Sequence, residues 1–448
     1  MSEEWPTVRL GDLIEIKHGY AFKGADFTDD PTGDVLVTPG NFRVGGGWQD
    51  GKRKYHRGPV DPAYVLAPGD LIVTMTDLSK QGDTLGFPAV VPSTSGTRLL
   101  HNQRIGRIRV KDEACLLDRF LYYVLCTAPY RHEVLATATG STVRHTSPTR
   151  IYGFEFSRPP LPEQRAIAEV LGALDDKIEL NERMNATLDE MARALFKSWF
   201  VDFDPVHAKA EGRLPSHMDA ATAALFPDSF EDSALGPIPA GWRVGTVGEI
   251  AEVIDCLHSK KPARQDEGQL LLQLWNVKDN GLIDTSDPYW ISDDDYARWT
   301  SRMEAREGDC VITNVGRVGA VGQVPPGLSA ALGRNMTGIR TRDPFPYRTF
   351  LVSALLSEAM RDEIAFWTDS GSVMDSLNVR SVPKLRFILS DESVVEAFES
   401  LARPLRCLME ANLSESRTLA GLRDALLPRL ISGELRLGEA ERAVEAAV

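Results

Sequence analysis

Cysteine is scarce in this 448-residue chain: there are five, and no two form a C-x-x-C pair. That spacing argues against a disulfide framework or a zinc knuckle and fits a reducing compartment. Long apolar runs are absent too. The longest, FLYYVLCTA at 120–128, falls far short of the roughly 20 residues a membrane-spanning helix needs. The opening MSEEWPTVRL is acidic and lacks the apolar stretch of a secretory signal. These absences predict a soluble, cytoplasmic protein with no membrane partner.

Catalytic signatures are missing as well. GGWQDGKR (46–53) spaces Gly46, Gly51 and Lys52 as a phosphate-binding loop does, but Arg53 stands where the magnesium-binding Ser or Thr belongs. HEVLA (132–136) opens like a zinc-protease helix, then places Ala136 where the second histidine belongs. The glycines of GRVGAVG (316–322) do not follow the dinucleotide pattern. Adenine methylation would call for Asn-Pro-Pro-Tyr or Asp-Pro-Pro-Phe, and DPFP (343–346) is the nearest approach. No histidine adjoins a credible Ser or Cys nucleophile. The chain reads as non-catalytic, with no metal site and no cofactor of its own.

Positive charge is also in short supply, with a net charge of −14. The deficit is uneven. Residues 1–160 hold 19 Lys/Arg against 18 Asp/Glu, net +1, whereas 161–240 hold 7 against 15, net −8. An acidic middle suits protein docking, and basic faces can persist elsewhere.

What is present is a repeat. WPTVRLGDLIEIKHG at Trp5 resembles WRVGTVGEIAEVIDC at Trp242, and APGDLIVT (67–74) matches REGDCVIT (306–313). DRFLYYVL (118–125) parallels YRTFLVSALL (347–356), and TGSTVRHTS (139–147) parallels DSGSVMDSL (369–377). Apolar residues at Ile167, Leu171, Leu174 and Ile178 follow helical 4-3-4 spacing, resumed at Leu188 and Leu195. An offset of 231 carries the first four to Phe398, Ala402, Leu405 and Met409, and the last two to Leu419 and Leu426. The plan is α+β: two mixed α/β units and two long helices, related by a pseudo-two-fold repeat. Expected strands include 34–39, 69–75 and 104–110. A helix near 116–136 should break or kink at Pro129, with its counterpart near 346–367.

The expected boundaries are 1–160 for the first unit, 161–203 for the first long helix and 204–241 for a linker with one short helix around 218–226. The second unit follows at 242–391, the second long helix at 392–436 and a tail at 437–448. If the helices pack as a coiled coil, Ile167, Leu171, Leu174, Ile178, Leu188, Leu195, Phe398, Leu405, Met409, Leu419 and Leu426 form the seam. Asn181 and Asn412, equivalent under the same offset, could fix its register. Phe196, Trp199, Phe200 and Phe203 suit packing of the helix end against the second unit.

Basic and amide side chains gather in particular loops. GKRKYHR (51–57) offers Lys52, Arg53, Lys54 and Arg57; LHNQRIGRIRV (100–110) offers Asn102, Gln103 and Arg104. STVRHTSPTR (141–150) adds Arg144 and His145. In the second unit CLHSKKPAR (256–264) holds His258, Lys260, Lys261 and Arg264, and QLWNVKD (273–279) holds Asn276. NVGRVG (314–319) holds Asn314 and Arg317, and LGRNMTGIRTR (332–342) holds Arg334, Asn335 and Arg340. Lys and Arg neutralise phosphates, Arg reads guanine, and Asn or Gln reads adenine. The plainer reading of each run is a solvated loop. Both repeats nonetheless place Arg and Asn at one location.

PLPEQRAIAEVLGALDDKIELNERMNATLDEMARALFKSWFVDFDP (160–205) resembles the central conserved region of specificity subunits of type I restriction–modification systems. GYAFKGADF (19–27) and TLAGLRDALLPRLISGEL (418–435) are similar to their proximal and distal conserved stretches. GEIAEVIDCLHSKKP and EGDCVITNVGRVG resemble one of their target-recognition domains. The resemblance implies two target-recognition domains, each entering the major groove at one half of a bipartite double-stranded DNA site. It implies that helix length sets the gap, with half-sites about 34 Å apart. Two modification subunits using S-adenosylmethionine, and restriction subunits using ATP and Mg²⁺, would supply the chemistry. The rival is a duplicated coiled-coil scaffold that organises proteins without reading DNA.

Overall fold

In the computed structural model, residues 5–79, 81–342, 346–371 and 374–445 are described. Residues 343–345 of the DPFP element, 372–373 within the second repeat and 446–448 of the tail lie outside them. The chain divides into two compact units, Met1–Lys177 with Thr418–Val448, and Ile178–Arg417.

In the first unit, Ile14–His18, Ile105–Val110, Leu71–Thr74 and Pro88–Val90 form an all-antiparallel sheet in that order. A second sheet pairs Asp34–Leu36 parallel to Arg98–Leu100, which is flanked on its other side by antiparallel Val65–Leu66. Val35, Ile72, Ala89, Leu99 and Ile105 meet in one core. The predicted strands form within their expected ranges, because alternating apolar residues bounded by Gly, Pro and Asp have a buried face to fill.

The second unit repeats the core of this topology, with four strands in place of five in its second sheet. Ala251–Asp255, Met336–Thr341, Cys310–Thr313 and Val321–Gln323 make the antiparallel sheet. Gln269–Leu272 runs parallel to Ala330–Leu332, flanked by Glu304–Ala305. The repeat reaches single side chains. Asp70 accepts from the Ala67 N–H and pairs with Arg107 at 3.4 Å; Asp309 accepts from the Arg306 N–H and pairs with Arg340 at 2.6 Å. Both aspartates close the turn before the central strand and hold an arginine of its neighbour.

The helix near 116–136 is two helices, Asp118–Leu125 and Ala128–Thr137. Pro129 sits in the first turn of the second, where its missing N–H costs nothing. Proline therefore starts a helix here. The counterparts Arg348–Leu356 and Glu358–Phe366 break at Ser357, whose hydroxyl accepts from the Met360 N–H.

The long helices are Leu161–Phe200 and Glu392–Ser432, 40 and 41 residues. Gln164 anchors the first. It is fully buried, accepts from the Leu117 N–H at 3.0 Å and donates to the Cys115 and Pro159 carbonyls at 3.1 and 2.8 Å. Glu399 of the second long helix does comparable work, accepting from the Thr349 and Phe350 N–H groups at 3.2 and 2.9 Å. Of the seam positions, Ile167, Leu171, Leu174, Phe398, Met409, Leu419 and Leu426 are buried; Ile178, Leu188, Leu195 and Leu405 are half-buried. The helices pair antiparallel within the second unit, where Asn181 reaches Ser416 and Asn185 reaches Met409. In the first unit Arg423 meets Asp175 at 2.8 Å.

The segment 204–241 is more than a connector. It folds as helices Asp204–Ala210 and Ala220–Ala224 and a hairpin of Phe230–Ser233 with Gly236–Pro239. Val206, Phe226 and Ile238 from it join Phe196, Trp199, Phe200, Trp242, Phe350 and Phe398 in the largest core cluster of the second unit. The ring centroid of Phe200 lies 5.1 Å from that of Phe350 and 5.3 Å from that of Phe398. The aromatic run at 196–203 thus packs the helix end into its own unit. The tail contributes helix Leu437–Glu445. Among the described residues, no helix is long and apolar enough to cross a membrane.

Candidate nucleic-acid interface

Backbone hydrogen bonds string the predicted loops of the first unit along one edge. The Tyr20 N–H donates to the His101 carbonyl and the Gln103 N–H to Tyr20, setting the 19–22 turn beside Asn102 and Gln103. Gly19 is required at this crossing: a Cβ there would stand 2.1 Å from the Asn102 carbonyl oxygen. The Met75 N–H donates to the Arg104 carbonyl, and the Thr146 N–H donates to Met75. Arg144 and His145 then pair with Asp77 and Thr76. Asn102, Gln103, Arg104, Arg144 and His145 are thereby brought together from two distant stretches.

Asp77 shapes the adjoining turn. Burial pushes its carboxyl up, but hydrogen bonds from Ser79 and Thr84 win and hold it below the usual range. The remaining cluster joins through aromatic contacts. His56 lies 4.9 Å from Phe22, Lys54 sits 4.2 Å over the Phe27 ring, and Arg57 pairs with Asp30. Lys52, Arg53, Lys54 and Arg57 are exposed, as are Gln103 and His145; Asn102, Arg104 and Arg144 are half-buried.

The second unit builds the same edge from different residues. The Asn314 N–H donates to the Asn335 carbonyl at 2.7 Å and the Leu377 N–H to Asn314 at 2.9 Å. These bonds match those of Met75 with Arg104 and Thr146. Arg334 is exposed, and Asn335 holds a left-handed φ of 65°. His258, Lys260 and Lys261 are exposed on the 256–264 loop. Lys261 lies 3.9 Å over Tyr289 and 5.0 Å over Trp275; burial, then neighbouring Arg264, pushes its ammonium down.

Four predicted residues sit elsewhere in function. Asn276 is fully buried: its Oδ1 caps a turn by accepting from the Gln273 N–H at 2.8 Å, and its amide donates to Asp284. Asn41 makes the same cap in the first unit. Asn314 is buried between the Leu377 carbonyl and the Thr337 hydroxyl. Arg317 is half-buried against the Val277 carbonyl and Asp279. Arg340, likewise, is held by Asp309.

Sequence reasoning overlooked the aromatics of this edge. Tyr20, 46% exposed, packs on Phe22 and Tyr64, whose ring carries Lys17 at 4.6 Å. Trp275, 44% exposed, stands beside the buried asparagine that drew attention instead. The signal available was an aromatic next to a lysine-bearing loop, the pairing that stacks on and neutralises nucleic acid.

Residues 2–190 match the model of the type I restriction modification DNA specificity domain. The chain is similar to type I restriction–modification specificity subunits. It is 24% identical over 364 residues to the HindI specificity subunit of Haemophilus influenzae, covering 71% of this chain and 78% of the relative. It is 24% identical over 362 residues to the MjaIX specificity subunit of Methanocaldococcus jannaschii, covering 79% and 76%. The fold resembles the crystal structure of a type I restriction–modification S subunit from M. genitalium, with a TM-score of 0.54 and 15% identity over 96% of this chain and 97% of that one.

Proposed function

We propose that this chain is a type I specificity subunit that reads a bipartite double-stranded DNA site, one half with each repeat, and is itself non-catalytic. The observation carrying this is the shared edge: two units of similar topology present a cation-bearing loop, exposed aromatics and an Arg in the same inter-strand turn, with different residues in each. A common scaffold with divergent edge residues is what two readers of different sequences require. Lys52, Arg53, Lys54, Arg57 and Lys260 serve phosphates; Asn102, Gln103, Arg104, Arg144, His145, His258, Lys261, Arg334 and Asn335 are candidates for base edges. The long helices set the gap between half-sites.

The same helices dock two modification subunits. Leu180 and Met191 of the acidic first long helix, and Leu401 and Leu408 of the second, are large apolar residues 42–51% exposed, a pattern suited to covering by protein. Those subunits would bring S-adenosylmethionine, and restriction subunits would bring ATP and Mg²⁺, in the cytoplasm. Adenine-methylation sequencing of host DNA with and without this chain tests the reading. One motif of two short halves around a constant gap should lose methylation when the chain is absent. If no motif changes while the modification subunit is active, the scaffold reading replaces this one.

A further inference from the structure

The 256–264 loop of the second unit opens beside a group of three side chains, of which Asp255 and Cys256 have no part in the proposed DNA reading. Asp255 ends its strand, Cys256 is 3% exposed, and His258 faces solvent. One carboxylate oxygen, the thiol sulfur and one imidazole nitrogen all lie within 4.8 Å of one another. His258 Nε2 is 2.9 and 3.1 Å from the two Asp255 oxygens. Ligand atoms around a tetrahedral zinc, at bond lengths of about 2.0–2.3 Å, stand roughly 3.3–3.6 Å apart, so small side-chain shifts suffice.

A second observation comes from the backbone. Burial pushes the Cys256 thiol up, and the backbone N–H groups of Met336 and Asn335 act against it. The left-handed Asn335 turns the chain so that these two successive donors face it. Paired N–H donors stabilise the negative charge of a metal-bound thiolate. Gly19 occupies the corresponding place after the first unit's strand, whereas the Cys256 side chain joins a buried cluster with Leu270, Val277 and Met303. Arg302 donates to the Cys256 carbonyl at 2.8 Å and lies 3.4 Å from Asp255, holding the carboxylate in position.

We propose that Asp255, Cys256 and His258 bind a zinc-class divalent cation, with one water completing a tetrahedral set. Binding releases the Cys256 thiol proton to solvent, so affinity rises with pH. The ion pins the start of the loop that carries Lys260, Lys261 and Arg264. The D-C-x-H spacing escaped the sequence because zinc sites announce themselves by paired cysteines.

The test is a cobalt(II) titration of the purified, metal-depleted full chain, which needs no DNA and so stands or falls apart from the DNA-reading proposal. A thiolate-to-cobalt charge-transfer band should appear and saturate at one equivalent. Cys256→Ser should abolish it, His258→Gln should weaken binding at least about tenfold, and Cys310→Ser should leave it intact. The solvent-exposed His258 variant carries the test should Cys256→Ser fail to fold. Identical spectra for wild type and Cys256→Ser, or unchanged affinity in His258→Gln, would overturn the proposal.

Discussion

Asn412 donates its side-chain amide to Oδ1 of Asn185 at 2.9 Å, buried between two antiparallel helices. Asn185 passes the bond on to the Met409 carbonyl at 3.0 Å. One turn away Asn181, the counterpart of Asn412 one repeat earlier, donates to Glu415 at 2.8 Å and Ser416 at 3.3 Å. An otherwise apolar seam therefore carries a polar knot whose bonds form in one alignment of the helices and break with a slip, with only the Asn181 Oδ1 left without a partner among the described residues.

Replacing both partners with leucine removes the knot without orphaning either amide. The Asn185→Leu/Asn412→Leu chain should be as stable as wild type or more so, by up to about 1 kcal/mol in urea unfolding. The distance distribution between spin labels at exposed Leu180 and Leu408 should broaden as alternative registers become populated. A single unchanged distance would show that apolar packing alone sets the alignment.

Gln164 invites the opposite result. Gln164→Leu leaves the Leu117 N–H and the Pro159 carbonyl without their partner in the interior, each worth about 1–3 kcal/mol if unsatisfied, while the Cys115 carbonyl keeps the Arg158 guanidinium. A loss of at least about 2 kcal/mol is expected in urea unfolding. A loss below about 0.5 kcal/mol would mean that water or a rearranged turn replaces the amide.

On DNA, the two units should fail separately. Arg104→Ala should relax discrimination in one half-site and Arg334→Ala in the other, each costing about 1–3 kcal/mol if the arginine meets a base. The Lys52→Ala/Arg53→Ala/Lys54→Ala chain should bind all sequences more weakly, and its log–log salt slope should fall by about two to three. Competition binding at several salt concentrations separates these outcomes. Loss in both half-sites from one arginine would contradict independent reading.

Much of this was legible in the sequence, for identifiable reasons. Helix periodicity over 40 residues has few rival explanations, and a duplication exposes itself through shared order. The strands 34–36, 71–74 and 105–110 were visible because their apolar runs end at Gly, Pro and Asp. Side-chain partnership was not visible. Asn276 and Asn314 look like base readers as residue types, yet they cap a turn and bridge two strands. Arg317 and Arg340 look like free cations but meet Asp279 and Asp309, which lie 38 and 31 residues away. Within 204–241 the short helix near 218–226 was legible, but the packing of the segment escaped, since Val206, Phe226 and Ile238 are spaced irregularly and find their core only in three dimensions.

His101 makes the first unit sensitive to acid. It is fully buried, with Nε2 2.9 Å from the Ile105 carbonyl and no partner for Nδ1. Burial lowers its pKa from 6.5 to about 4. Below pH 6.5 the unfolded chain takes up a proton that the folded chain refuses, so stability falls as pH drops from about 6.5 towards about 4. The full effect is about 3 kcal/mol. His101→Gln should flatten this stretch of the stability–pH profile, while an unaltered profile would place the acid sensitivity on other groups.

The central claim is that two readers share one chain and that helix length sets the distance between their half-sites. Matched four-residue insertions at facing positions of both long helices add about one turn, or 5.4 Å. Adenine-methylation sequencing of DNA modified by the complex should then show both half-site sequences unchanged and the gap longer by about one to two base pairs. An unchanged gap with intact methylation, or altered half-site sequences, would contradict the account.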